Sequence, residues 1–141
     1  MKPQLLALLT AAAWGLGGYF EKKGLQLGNL PPQLGITIRT AVALVVLGAI
    51  SAPHWKEAAH AGPRALAYLV VGGGLVAGSL GMLCFYAALK GAPLTRVMPI
   101  AFTSPLFGAI LALTIGGETL TLKTLAGMLL TVGGIVLLTI G

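Results

Sequence analysis

The chain has 141 residues, of which 57% are hydrophobic and only 9% charged, with a formal net charge of +6. A soluble domain carries about a quarter charged residues, so this composition excludes a protein that covers its surface with water-compatible groups and points to an all-α integral membrane protein. The basic residues are scattered between apolar runs, with no basic stripe and no interleaved aromatics, which excludes a nucleic-acid partner; Lys and Arg flanking membrane spans account for the charge.

A spanning helix needs about 20 mainly apolar residues, and the breaks between charges predict five, at about 4–23, 33–52, 65–90, 95–117 and 121–140. Pro31, Pro32, Pro53, Pro63 and Pro93 fall in or beside the breaks, where a missing amide donor costs least. The start "MKPQLLALLTAAAWG" also has the outline of a signal peptide, but the apolar run does not stop at its small residues. The first helix runs into Glu21, Lys22 and Lys23, which read either as a boundary marker or as the rim of a pathway. In the second, Arg39 lies six residues beyond Gln33, about 9 Å along the helix axis. A charge at that depth is costly unless it snorkels or serves a polar cavity, where it could pair with a substrate carboxylate or with Glu21.

The third helix carries "GGGLVAGSLG", whose Gly74 and Gly78 form a GxxxG pair that Ala77 and Gly81 extend. Such faces let helices approach closely in lipid. The fourth, "MPIAFTSPLFGAILALTIGGE", holds Pro99 and Pro105, which free the carbonyls of Thr95 and Ala101. Those groups need partners such as the hydroxyls of Thr103 and Ser104, so a structural kink and a pathway wall are both open. The fifth offers Gly127, Thr131 and Gly134 as a small-residue face.

No catalytic constellation is present: the acids are Glu21, Glu57 and Glu118 only, and no serine has an evident histidine and acid partner. His54, Glu57 and His60 recur at steps of three in "HWKEAAH", without a recognised zinc spacing. They read as residues of an interfacial loop beside the anchor Trp55. Cys84 lies in an apolar run and reads as packing. No cofactor and no metal are expected.

From Phe85 onward the residues resemble the C-terminal part of an EamA domain, the repeat unit of the drug/metabolite transporter superfamily. The pattern is a proline, a glutamate thirteen residues later, and glycines nine and sixteen residues beyond that: Pro105, Glu118, Gly127 and Gly134. Trp14-Gly15, Lys22 and Arg39 match the N-terminal half more loosely, and Thr119 stands where the family usually has a basic residue. The resemblance covers essentially the whole chain as one EamA-like domain, and implies five membrane helices forming one inverted-repeat half of a transporter. The last helix, "GMLLTVGGIVLL", and Gly17 and Lys22 in the first, also resemble the small multidrug resistance proteins. Where those place a proton- and cation-binding glutamate this sequence has Trp14, so glutamate-driven exchange of organic cations is not carried over.

What the resemblance implies is a multi-pass secondary transporter of the cell (inner) membrane that moves a small polar metabolite, an amino acid or related compound, by alternating access as a homodimer. Trp14 and Tyr86 are then expected as aromatic walls, Arg39 as a charge partner, Thr103 and Ser104 as hydrogen-bonding groups, and Glu21 with Lys22 as a pathway rim. Gly127, Thr131 and Gly134 are expected at the dimer seam. The alternative is a non-transporting half-unit that packs with a partner protein. Across five spans Lys2, Lys56, Arg64 and Lys123 fall on one side and Lys22, Lys23, Lys90 and Arg96 on the other, with Arg39 nearest the latter, so the score is four against four or four against five. Neither orientation is favoured, which points to two copies in opposite orientations.

Overall fold

The computed structural model describes residues 2–117, 119 and 121–140, and every regular element among them is helical. Four helical stretches, Pro32–His60, Pro63–Gly91, Leu94–Thr114 and Leu122–Thr139, are long and apolar enough to cross a membrane. The first helix, α1 (Pro3–Leu27), has the length at 25 residues but is not among them. Leucines, valines and isoleucines stand exposed along nearly every helix. Water would not tolerate so large an apolar surface, and lipid favours it. The protein is therefore a membrane protein.

The chain forms two compact units, one up to Gly91 and one from Ala92. In the first, proline opens α1 at Pro3 and α2 (Pro32–Ser51) at Pro32, where its fixed φ suits the first turn and its missing N–H is no loss. α1 runs four residues past the expected end near 23, through the charged cluster. It stops at Gly28, with Asn29 in the left-handed region at φ 44 and the Leu30 amide donating to the Leu25 carbonyl at 3.0 Å. This is the closure asparagine tolerates best after glycine. The charges do not end the helix because each has a partner, as shown below.

The segment read as an interfacial loop is helical instead. A 3-10 turn at Ala52–His54 leads into α3 (Trp55–His60), and Pro53 is accommodated in the first turn, where it displaces no bonded amide. His54 Nδ1 lies 2.9 Å from a Glu57 carboxylate oxygen, and His60 Nδ1 lies 2.7 Å from the Lys56 carbonyl. Each histidine is thus engaged locally.

Next come α4 (Pro63–Ala67), fourteen residues of π-helix at Tyr68–Gly81, and α5 (Met82–Gly91). π-helix is ordinarily a single turn. Here the Ser79 hydroxyl donates to the carbonyl five residues back, Gly74, at 3.0 Å, which reinforces the wider register. Gly78 keeps one widened turn free of side-chain crowding: a Cβ there would sit 3.0 Å from the Gly73 carbonyl oxygen. α2 packs on α5, and α1 packs on both. Their shared core is small, formed by Leu25, Ile36, Tyr86 and Leu89.

The second unit holds α6 (Leu94–Ala101), α7 (Ser104–Thr114) and α8 (Leu122–Ile140), with α6 packed on α8. The single helix expected at 95–117 is broken at Phe102–Thr103 and ends at Thr114. Pro105 has no amide to offer the preceding turn, and Thr103 closes the break: its hydroxyl donates to the Ile100 carbonyl at 2.7 Å and its amide to the same oxygen at 3.1 Å. At the far end a Cβ on Gly116 would lie 2.7 Å from the Ala112 carbonyl oxygen, and Gly117 has φ 67, so the helix closes on two glycines. Glu118, the acid of the fourth-helix pattern, lies outside the described residues.

Candidate functional site

Arg39 sits seven residues beyond Pro32 in α2, about 10 Å along the axis at 1.5 Å per residue. Its Nε lies 2.9 Å from a Glu21 carboxylate oxygen of α1, with the two side chains 43% and 18% exposed. Of the alternatives open for Arg39, the pairing with Glu21 is formed. One contact does not exhaust a guanidinium, which carries five N–H donors in a planar fork. The exposed part of Arg39 can still receive an acceptor group.

Tyr86 of α5 lies beneath this pair. It is 2% exposed, with Glu21 and Arg39 close enough to act on its hydroxyl. Its burial differs from the expected role of an aromatic wall: the ring is packed into the core. Gly35 explains the position. A Cβ there would stand 2.6 Å from a Leu25 methyl and 3.1 Å from the Tyr86 ring, so only glycine lets α2 approach closely enough to seat the ring beside it.

The remaining charges of the cluster are spoken for. Lys22 donates to the Leu89 carbonyl at 2.7 Å, and Lys90 donates to the Leu30 carbonyl at 3.0 Å. Lys22 thus satisfies a carbonyl in the last turn of α5, where a cation is also favoured by the helix dipole, and Lys90 satisfies one in the connection between α1 and α2. Lys23 lies 5.9 Å from the centroid of the Tyr19 ring, within the range of a cation–π contact. A reader of the sequence sees three adjacent charges; the fold uses one to hold α2, one to cap α5 and one to cover an aromatic face. Trp14 stands exposed on α1, two turns before Glu21 and on the same helix face.

Thr103 belongs to the second unit, where it lines a cleft of about 280 Å³ with Phe102, Pro105, Thr124, Gly127 and Thr131. Thr131 donates to the Gly127 carbonyl at 2.8 Å. Two of the three expected seam residues therefore border a cleft inside their own unit. Ser104 opens α7 as an exposed residue, and neither it nor Gly134 is part of that lining. The structure brings Glu21, Lys22, Arg39 and Tyr86 together in one unit, and Thr103, Gly127 and Thr131 together in the other.

One polar feature escaped the sequence reading. Gln33, Thr37 and Thr40, spaced i, i+4 and i+7, line a groove that also takes in Ser79. The helical period of three polar residues in an otherwise apolar span was the available signal.

Comparison with known proteins agrees with this picture. The model of the EamA-like transporter family matches residues 1–140. An uncharacterized transporter of a Sinorhizobium species, from the region 3' of cobO, is 30% identical over 97% of this chain and 96% of its own length. An uncharacterized protein of Methanocaldococcus jannaschii is 28% identical, over 96% of this chain and 95% of its own. No solved structure matches significantly. The family model spans residues 1–140 of a chain whose apolar helices already mark it as a membrane protein, so the chain is a member of the EamA-like transporters.

Proposed function

We propose that this transporter moves small polar metabolites, amino acids or related compounds, by alternating access, and that it does so as a homodimer in the cell (inner) membrane. Each copy contributes one five-span domain, α1 being the fifth span. The observation that carries the reading is the part-exposed Arg39 held by Glu21 in a chain that is otherwise almost wholly apolar. A substrate carboxylate can compete with Glu21 for the guanidinium, because both offer the same bidentate acceptor. Binding then loosens α1 from α2, which couples occupancy to helix movement. Trp14, on the Glu21 face of α1, supplies an aromatic wall within the same unit. The test is a thermal-shift screen of purified protein against a metabolite library, followed by counterflow of each hit in liposomes. Stabilisation without counterflow by any hit would reject transport of these compounds and favour a half-unit that serves a partner protein.

Two consequences concern assembly. Alternating-access pathways are commonly built from inverted repeats, and five spans supply one repeat. Single cysteines near either terminus, in a Cys84→Ser background, are expected to label to about half from outside intact cells if topology is dual. Full labelling at one end and none at the other would exclude opposite orientations. The α8 face is the proposed seam, because small residues permit close helix approach in lipid. Gly127→Leu combined with Gly134→Leu is expected to move the detergent-solubilised protein towards monomer. An unchanged mass would assign these glycines to packing within the chain.

A further inference from the structure

The groove between α2 and the π-helical segment carries a second recognition chemistry. It is an open groove of about 540 Å³, large enough to seat a small molecule. Gln33, Thr37 and Thr40 line one wall, and Gly78 and Ser79 line the other. Two of the hydroxyl hydrogens are already committed to main chain. Thr37 donates to the Gln33 carbonyl at 2.8 Å, and Ser79 donates to the Gly74 carbonyl at 3.0 Å. A hydroxyl has one donor and two acceptor lone pairs, so what Thr37 and Ser79 have left to offer is acceptor oxygen.

No charged side chain lines the groove. Lys22 and Lys90 are engaged elsewhere, by the carbonyls of Leu89 and Leu30. Arg39 lies on a different side of α2, turned by about 160° from Thr37 and by about 100° from Thr40. Apolar surface completes the site, with Leu44 and Leu83 among the lining residues. Neither an anion nor a cation would find a counter-charge among the lining residues, so either would be desolvated at a cost.

We propose that this groove is a binding site, separate from the Glu21–Arg39 pair, for small uncharged molecules that combine hydrogen-bond donors with an apolar flank, such as aliphatic carboxamides. Gln33 and the threonine and serine oxygens receive the donors, and the leucines receive the flank.

The test uses three near-isosteric probes, 4-methylpentanamide, 4-methylpentanoate and isoamylamine, with full-length protein in lipid nanodiscs and saturation-transfer NMR as the readout. The amide is expected to give the strongest transfer, and Thr37→Val and Ser79→Ala are expected to cut it at least threefold each. Valine has the shape of threonine, so the fold is retained; unchanged far-UV circular dichroism and elution mass confirm that. Gln33→Leu provides an independent variant outside the hydroxyl pair. Equal transfer from the carboxylate or the amine would overturn the charge argument. Amide binding that survives all three variants would overturn the location. Oxidative cross-linking of Thr40→Cys between copies, in a Cys84→Ser background, would show the groove filled by a second chain and would overturn the proposal as well.

Discussion

Replacing Arg39 with alanine is expected to reduce substrate uptake into proteoliposomes by tenfold or more, and also to lower the melting temperature. Both effects follow from the same pair. Truncation removes the guanidinium that the transport reading assigns to a substrate carboxylate, and it leaves Glu21 without its cation. Breaking a fully buried pair in this way costs about 3–5 kcal/mol. Arg39 is 43% exposed, so the stability loss is expected to be smaller, about 1–2 kcal/mol after allowance for screening. The two contributions separate in a second variant. Glu21→Gln with Arg39→Met removes both charges and retains volume, so it is expected to restore most of the thermal stability while uptake stays lost. Recovery of uptake in the double variant would mean that the pair is purely structural. Normal uptake by Arg39→Ala alone would leave the arginine a snorkelling anchor.

The second large effect is expected at Gly35, where an added methyl has no room. Its Cβ would stand 2.6 Å from a Leu25 methyl and 3.1 Å from two atoms of the Tyr86 ring. Leu25 can give way at its flexible end, whereas the Tyr86 ring is 2% exposed and held in the core. Gly35→Ala is expected to destabilise by about 1–3 kcal/mol, the usual cost of overpacking, and Gly35→Leu to prevent folding of the first unit. Gly48, in the same helix, has nothing within 4 Å of its virtual Cβ. Gly48→Ala is expected to stabilise by about 0.5–1 kcal/mol through helix propensity alone. Opposite signs at two glycines of one helix would establish the packing, as read by thermal unfolding in one detergent. A neutral Gly35→Ala would show that α2 does not approach Tyr86 so closely.

Much of this architecture is legible in the residues. Proline and charge positions mark the helix starts at Pro32 and Leu94 to within a residue or two, because both act locally on the backbone. The Glu21–Arg39 pairing was one of a few partners open to a charge placed that deep in an apolar helix. What the sequence hides depends on helix faces meeting in space. Nothing local distinguishes Gly35, pressed against an aromatic ring, from Gly48, which touches nothing. Lys22 matches a family position, yet its carbonyl partner lies 67 residues away. Pro99 and Pro105 announce a disturbance in the fourth span, but the step from kink to break at Phe102–Thr103 depends on the Thr103 hydroxyl taking the Ile100 carbonyl. The π register of Tyr68–Gly81 has no sequence signature beyond its glycines.

That register bears on how the chain tolerates changes in its length. In an α-helix each residue advances the bearing by about 100°. A single deletion early in α2 would therefore swing Arg39 away from Glu21. In Tyr68–Gly81 the hydrogen-bonded rings are one residue wider than α-helical ones. A lost residue there can be absorbed by tightening one wide turn to the α form, and everything downstream keeps its direction. Tyr86, which follows the segment by five positions, would still meet Glu21. The stretch acts as slack in the chain, so a residue lost between Tyr68 and Gly81 leaves the packing around Tyr86 in place.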